Sequence, residues 1–193
     1  MKDIIINCIE GYSASIRPDS KTLSSVIDDY VMKYHDRIFN YNKIESAKLS
    51  SIRNSKKFIC KHIKYAKDLN LFLVGKSMGG VKTYWVIKRC WKIMKQFKKV
   101  VVLFIDAHGT PINEFWRFTP YGKNREIKLK KTWLDKSKII FLNVYQHNEY
   151  PEGAKVKNDC IVQYKLDSKD VNHWNIINNT VTHELIENSF RYF

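Results

Sequence analysis

Short apolar runs of strand length alternate along this chain with stretches whose apolar residues recur at helical spacing, the order expected of an α/β protein with a mostly parallel sheet. The run Ile4-Ile5-Ile6-Asn7-Cys8-Ile9 places a first strand over Asp3 to Ile9. Leu23, Val26, Ile27, Tyr30 and Val31 then repeat at helical spacing and predict a helix from about Ser20 to Tyr34, with Ser20 or Asp19 as its cap. A second strand is predicted over Arg37 to Tyr41, and a helix from about Leu49 to Asp68 in which Ile52, Ile59, Ile63 and Ala66 share a face opposite a basic one. The run Asn70 to Val74 is a third strand and leads directly into a long helix ending near Phe97. Further strands are predicted over Lys99 to Ile105 and Lys138 to Tyr145, with a short one at Cys160 to Tyr164 and a closing helix from about Asn179 to Phe193.

The segment from Thr110 to Lys138 breaks this alternation. It scatters Phe115, Trp116, Phe118, Tyr121 and Trp133 among prolines and lysines without a period, and reads as a loop-rich, lid-like excursion. No repeat or Gly/Ser linker divides the chain. At 193 residues and 44% hydrophobic content, it is long enough for one sizeable core and short for two, so a single domain over 1–193 is expected.

Charge changes the picture more than size does. Thirty-four basic residues against 19 acidic ones give a formal net charge of +15, concentrated in Arg53 to Lys67, Lys82 to Lys99 and Lys123 to Lys138. Such a field attracts nucleic acid, an anionic membrane surface or a phosphorylated small molecule, and equally suits a solvated basic surface. Cys8, Cys60, Cys90 and Cys160 are scattered, show no metal-ligand spacing, and read as free thiols of a reducing compartment. The opening apolar run is too short for a span or a signal-peptide core, which gives a cytoplasmic expectation with no membrane span.

The candidate chemistry lies where the third strand meets the long helix. Gly75-Lys76-Ser77-Met78-Gly79 is a G-x-S-x-G motif, expected roughly 0.02 times in a shuffled chain of this composition. Gly75 and Gly79 remove the side chains that would keep strand and helix apart around a strained turn, and that turn holds the Ser77 hydroxyl clear of both. The amide of Met78 lies at the positive end of the following helix, where it can donate to an oxyanion. A second donor is expected from the loop Glu10-Gly11-Tyr12-Ser13 after the first strand, from Gly11 or Tyr12, with an ordinary turn glycine as the plain reading of Gly11.

With Gly75-Lys76-Ser77-Met78-Gly79-Gly80 at a strand-to-helix turn, the chain resembles the α/β-hydrolase superfamily. The turn looks like the lipase and esterase elbow, and the size is similar to that of compact, cutinase-sized members. Lys76 stands where many lipase-like members have His. The resemblance implies a three-layer sandwich around a mostly parallel sheet of about five strands, in the order 2-1-3-4-5. It also implies a nucleophile, acid and histidine in that chain order.

A serine hydroxyl needs an imidazole in reach and a carboxylate to orient it. His173, in a late loop before the closing helix, resembles the family's base. His108 reads as a loop residue beside the site rather than as the base, and His183 as a residue of the last helix. Asp106 ends the apolar run Val100 to Ile105 on the rim where sites in open α/β sheets are built, although an Asp there also serves as a turn cap. Glu149, after the fifth strand, is the competing acid.

Together these residues point to a serine hydrolase acting on an ester or thioester through an acyl-enzyme, without metal or cofactor. An anionic acyl substrate is in keeping with the excursion at 110–138. The alternatives are a basic nucleic-acid or nucleotide-binding protein, drawn from the charge, and a hydrolase-fold interaction protein without activity.

Overall fold

The computed structural model describes residues 2–11, 22–45, 50–108, 126–133, 138–148, 153–157 and 161–193. The strands are β1 (Ile4–Glu10), β2 (Ile38–Glu45), β3 (Asn70–Lys76), β4 (Lys99–Ile105), β5 (Glu126–Lys128), β6 (Ile139–Gln146), β7 (Lys155–Lys157) and β8 (Ile161–Leu166). The helices are α1 (Leu23–Lys33), α2 (Ser51–Lys61), α3 (Met78–Met94) and α4 (Thr180–Arg191). Six strands form one sheet in the order β2-β1-β3-β4-β6-β8, every neighbouring pair parallel, and β5 with β7 forms a separate parallel pair. The expected order 2-1-3-4-5 holds for its first four strands. The segment around Cys160 to Tyr164 supplies a full sixth strand, and the expected fifth strand is β6 because β5 forms within the 110–138 segment.

Strand period 2 sorts the core into two layers. Leu71, Leu73, Val100, Val102 and Phe104 face α2 and α3, whereas Phe72, Val74, Val101, Leu103 and Ile105 face α1 and α4. Both faces of the sheet are therefore covered, which is why the strands read as near-continuous apolar runs. Each buried Leu, Ile, Val or Phe contributes roughly 2 kcal/mol, so the central strands tolerate local backbone strain costing about 1–3 kcal/mol per residue at their ends.

Element ends differ from the sequence pattern for local reasons. Thr22 caps α1 by accepting from the Ser25 amide, with the Ser25 hydroxyl returning the contact, and the buried Glu10 carboxylate accepts the Leu23 and Ser24 amides. Asp19 and Ser20, the expected caps, lie outside the described residues. The helix expected to reach Asp68 ends as α2 at Lys61. There the His62 amide tightens onto the Ile59 carbonyl, its ring sits 2.8 Å from the Phe58 carbonyl, and a 3-10 turn over Ile63–Tyr65 leads toward β3.

The chain leaves β1 to build β2 on one side and returns to build β3 on the other. The crevice beyond the carboxyl ends of β1 and β3 is thus the sheet's topological switch point, the position where open α/β sheets bind ligands. Among the described residues, no helix is long and apolar enough to cross a membrane. Cys8, Cys60 and Cys90 are free thiols, and Cys160 lies outside the described residues.

Candidate active site at the switch point

Strand register sets the site. Lys76 of β3 pairs with Ile105 of β4, which in turn pairs with Val144 of β6, so Ser77 and Asp106 step off neighbouring strands at one level. Among the described residues, Ser77 (φ 56°) and Asp106 (φ 43°) are the two non-glycine residues with positive φ. Backbone strain of this kind concentrates where function requires it. The strain is held by the core on both sides: the Ser77 amide donates to the Ile105 carbonyl at 3.0 Å, and the Asp106 amide to the Val144 carbonyl at 2.7 Å.

The elbow closes for the reason its glycines suggest. A Cβ on Gly75 would strike Thr83 Oγ1, and one on Gly79 would strike the Ile9 carbonyl oxygen, so β3, α3 and β1 can approach only with glycine at both positions. Gly11 brings the end of β1 against Ser77: a Cβ there would stand 2.9 Å from Ser77 Cβ and 3.6 Å from Ser77 Oγ.

A continuous buried polar chain runs from the serine. Ser77 Oγ lies 2.9 Å from His108 Nε2, His108 Nε2 lies 3.1 Å from His173 Nε2, and His173 Nδ1 lies 2.6 Å from Asp106 Oδ2. Ser77, His108, His173 and Asp106 are 3%, 7%, 2% and 0% exposed, so these contacts act in a low-dielectric setting. Asp106 also accepts from the Gln146 amide on Oδ1 at 3.1 Å and from Gln146 Nε2 on Oδ2 at 3.2 Å. A carboxylate so surrounded by donors requires His173 to present Nδ1 as an N–H, which leaves Nε2 directed at His108.

Of the residues singled out in the sequence, Ser77, Asp106 and His173 lie in one cluster. His173 meets the hydroxyl through His108, the residue read as a bystander, whose ring stands at 71° to that of His173 with centroids 4.4 Å apart. The positive φ at Asp106 turns the chain back so that the His108 amide approaches the Ser77 carbonyl at 3.4 Å, which carries the His108 ring over the elbow. Met78 is the first residue of α3, so its amide has no acceptor within the helix. The Gly11 amide lies beside Ser77 but donates to its own neighbour, Glu10 Oε1, at 3.2 Å. Tyr12 and Glu149 lie outside the described residues.

The chain matches no protein-family model, and no curated protein matches it at significant similarity. Among solved structures, it is similar to a cutinase-like protein from Cryptococcus sp.. That similarity covers 97% of this chain and 94% of the other, with 9% sequence identity and a TM-score of 0.49.

Three contributors were not apparent from sequence reasoning. Gln146 holds both oxygens of Asp106 from the end of β6, and Gly153 leaves room for that carboxylate, since a Cβ there would collide with Asp106 Oδ1. Lys76 is 3% exposed, and burial lowers the pKa of its ammonium, opposed by the nearby Glu10 and Asp106 charges. Its Nζ donates to the Trp174 carbonyl at 3.4 Å, next to His173. A polar residue ending an apolar strand was the available signal for Gln146, as it was for Asp106. Most of the 110–138 excursion lies outside the described residues. Trp133, expected among its exposed aromatics, is instead buried against Tyr84 and Trp91, because the β5–β7 pair folds onto the α2/α3 side of the core.

Proposed function

We propose that this chain is a serine hydrolase of the α/β-hydrolase type, cleaving an ester or thioester through an acyl-enzyme on Ser77. The observation that carries the reading is the buried chain from Ser77 Oγ through His108 and His173 to Asp106, built on a strained serine turn at the switch point. Lone polar clusters are common at strand ends, but one that joins a nucleophile, two imidazoles and a carboxylate in series supplies every group that acyl transfer needs.

In this reading, the Ser77 hydroxyl faces His108 Nε2 at 2.9 Å in the resting state. As Ser77 Oγ bonds to the carbonyl carbon, its proton passes to His108 Nε2 and is shared across the 3.1 Å contact with His173 Nε2. The imidazolium so formed is stabilised by Asp106 through His173 Nδ1–H. The tetrahedral oxyanion is received by the Met78 amide at the N-terminus of α3, with the Gly11 amide as second donor once it leaves Glu10. The shared proton then goes to the departing alkoxide or thiolate. A water molecule, deprotonated by the same pair, releases the acid and restores Ser77.

The test is hydrolysis of short acyl esters together with labelling by a fluorophosphonate. Wild-type protein should turn over the esters and be labelled on Ser77, and Ser77→Ala should lose about 10⁴-fold or more in kcat and all labelling. Full turnover by Ser77→Ala, or a wild-type protein inert to the probe, would sink the proposal.

A further inference from the structure

The two faces of the sheet differ in charge as much as in the helices that cover them. From Ser51 to Ile105 the chain holds a single acidic residue, Asp68, against fourteen Lys or Arg, so nearly all of the +15 excess falls in the segment that forms α2, β3, α3 and β4. α2 and α3 pack side by side on one face, and neither contains an acidic residue. α2 exposes Arg53, Lys56, Lys57 and Lys61, and α3 exposes Lys88, Arg89 and Lys92. Among the described residues none of these seven joins an ion pair, whereas Lys33, Arg37, Lys43, Lys165 and Arg191 do. The opposite face is of the other kind, with Asp28 and Asp29 on α1 and Glu184 and Glu187 on α4, partly neutralised by those same cations.

We propose that the α2/α3 face is a docking surface for an anionic lipid bilayer. A field of one sign concentrated on one side both attracts a polyanion and orients the molecule against it. Two adjacent helices of 11 and 17 residues present their charges over a broad surface rather than in a cleft, and a plane of headgroups can meet all of them at once. The charges are mainly lysine ammonium groups, point charges suited to diffuse attraction rather than to the bidentate reading of a defined phosphate.

The aromatic residues separate a membrane from a single-stranded nucleic acid. Trp85 and Trp91 are half-buried, and the ammonium groups of Lys88 and Lys95 sit over their rings at 4.4 and 4.8 Å. Rings covered in this way are not offered as platforms for stacked bases. An indole with an ammonium seated on its face instead makes a cationic, aromatic surface of the kind that suits a water–lipid boundary. Ile52, Phe58 and Ile93, partly exposed at the margin of the core, add apolar contact. α3 begins directly after Ser77, so docking through this face keeps the switch-point crevice at the edge of the contact and uncovered.

The experiment is co-sedimentation of the full chain with vesicles of phosphatidylcholine alone or with phosphatidylserine at about one part in three. The wild type should sediment with the anionic vesicles only and be released by about 0.5 M salt. Lys56→Glu with Lys57→Glu, and Lys88→Glu with Lys92→Glu, should each weaken binding about tenfold or more, and the four together should abolish it. Lys2→Glu with Lys169→Glu makes the same change of net charge away from α2 and α3 and should leave binding unchanged. Ser77→Ala should bind as the wild type does, so failure of the enzymatic reading is seen separately. The proposal is overturned by absence of vesicle binding, by equal binding to neutral vesicles, by equal loss in the Lys2/Lys169 control, or by retention of a single-stranded oligonucleotide without vesicle binding.

Discussion

Both ends of the central sheet carry a polar cluster, and the two are built on opposite terms. At the amino-terminal end, Asp3 accepts from Arg37 and from Asn70 Nδ2, the latter at 2.8 Å, and Arg37 also reaches the Phe190 carbonyl. That cluster is partly exposed, and no positive φ occurs in it. At the carboxyl end, Ser77, His108, His173 and Asp106 are nearly sealed from solvent, and the two strained residues of the described chain are both there. Hydrogen bonding alone therefore does not mark a site. Burial and strain around a serine hydroxyl set the carboxyl end apart, because the fold would otherwise relax the strain and solvate the charges.

The comparison is broken most severely at Asp106. Asp106→Asn keeps the shape of the carboxyl end but removes the charge that stabilises an imidazolium, and should lower kcat about 10³- to 10⁴-fold on acyl esters while circular dichroism stays unchanged. A loss no greater than that of a surface variant would mean the chain of contacts is structural, like the cluster around Asp3. Gly153→Ala should follow, with roughly a hundredfold loss of kcat and about 1–3 kcal/mol of stability in denaturant unfolding, since its methyl must displace the carboxylate or the strand beside it.

Lys76→Met should separate stability from function. Burial holds the ammonium's pKa below the ordinary lysine value, so at neutral pH the folded state bears a cost for its charge that the unfolded state does not. The variant should be more stable than the wild type by about 1 kcal/mol or more at neutral pH. That advantage should shrink as pH rises through the lowered folded pKa toward the ordinary lysine range, where the wild type sheds the proton. Thermal melts across that range decide it, and an advantage that grows with pH would refute the assignment. The smallest effect is expected at the amino-terminal end. Asp3→Ala leaves the Asn70 amide without its carboxylate and should cost about 1–2 kcal/mol in unfolding experiments with catalysis untouched.

How much of this was legible in the sequence follows from the range of the interactions involved. The elbow was, because Gly75, Ser77 and Gly79 are local requirements of one turn. Asp106 was, because a carboxylate ending a strand as apolar as Val100 to Ile105 falls on the rim whatever surrounds it. The position of His108 was not, since two residues from Asp106 it could face either way until the positive φ at Asp106 turned the chain back over Ser77. Gln146 offered the same signal of a polar residue ending an apolar strand, but its part and that of Gly153 were not legible, since they depend on which strand becomes the neighbour of β4. The sixth strand was read only as a short one at Cys160 to Tyr164 beside an expected sheet of about five, because β8 is an edge strand with Val162 and Tyr164 exposed, and its pattern is weaker than that of the buried strands.

Hydrophobic period, glycine placement and charge, all properties of short stretches, were enough by themselves to determine a two-faced parallel sheet, a serine at a strand-to-helix turn and a basic flank. Tertiary structure alone decided which imidazole meets that serine, which amides hold the carboxylate and which helices carry the basic flank on one side. These depend on strand order and register, and residues 31, 65 or 67 positions apart become neighbours only when the sheet is complete.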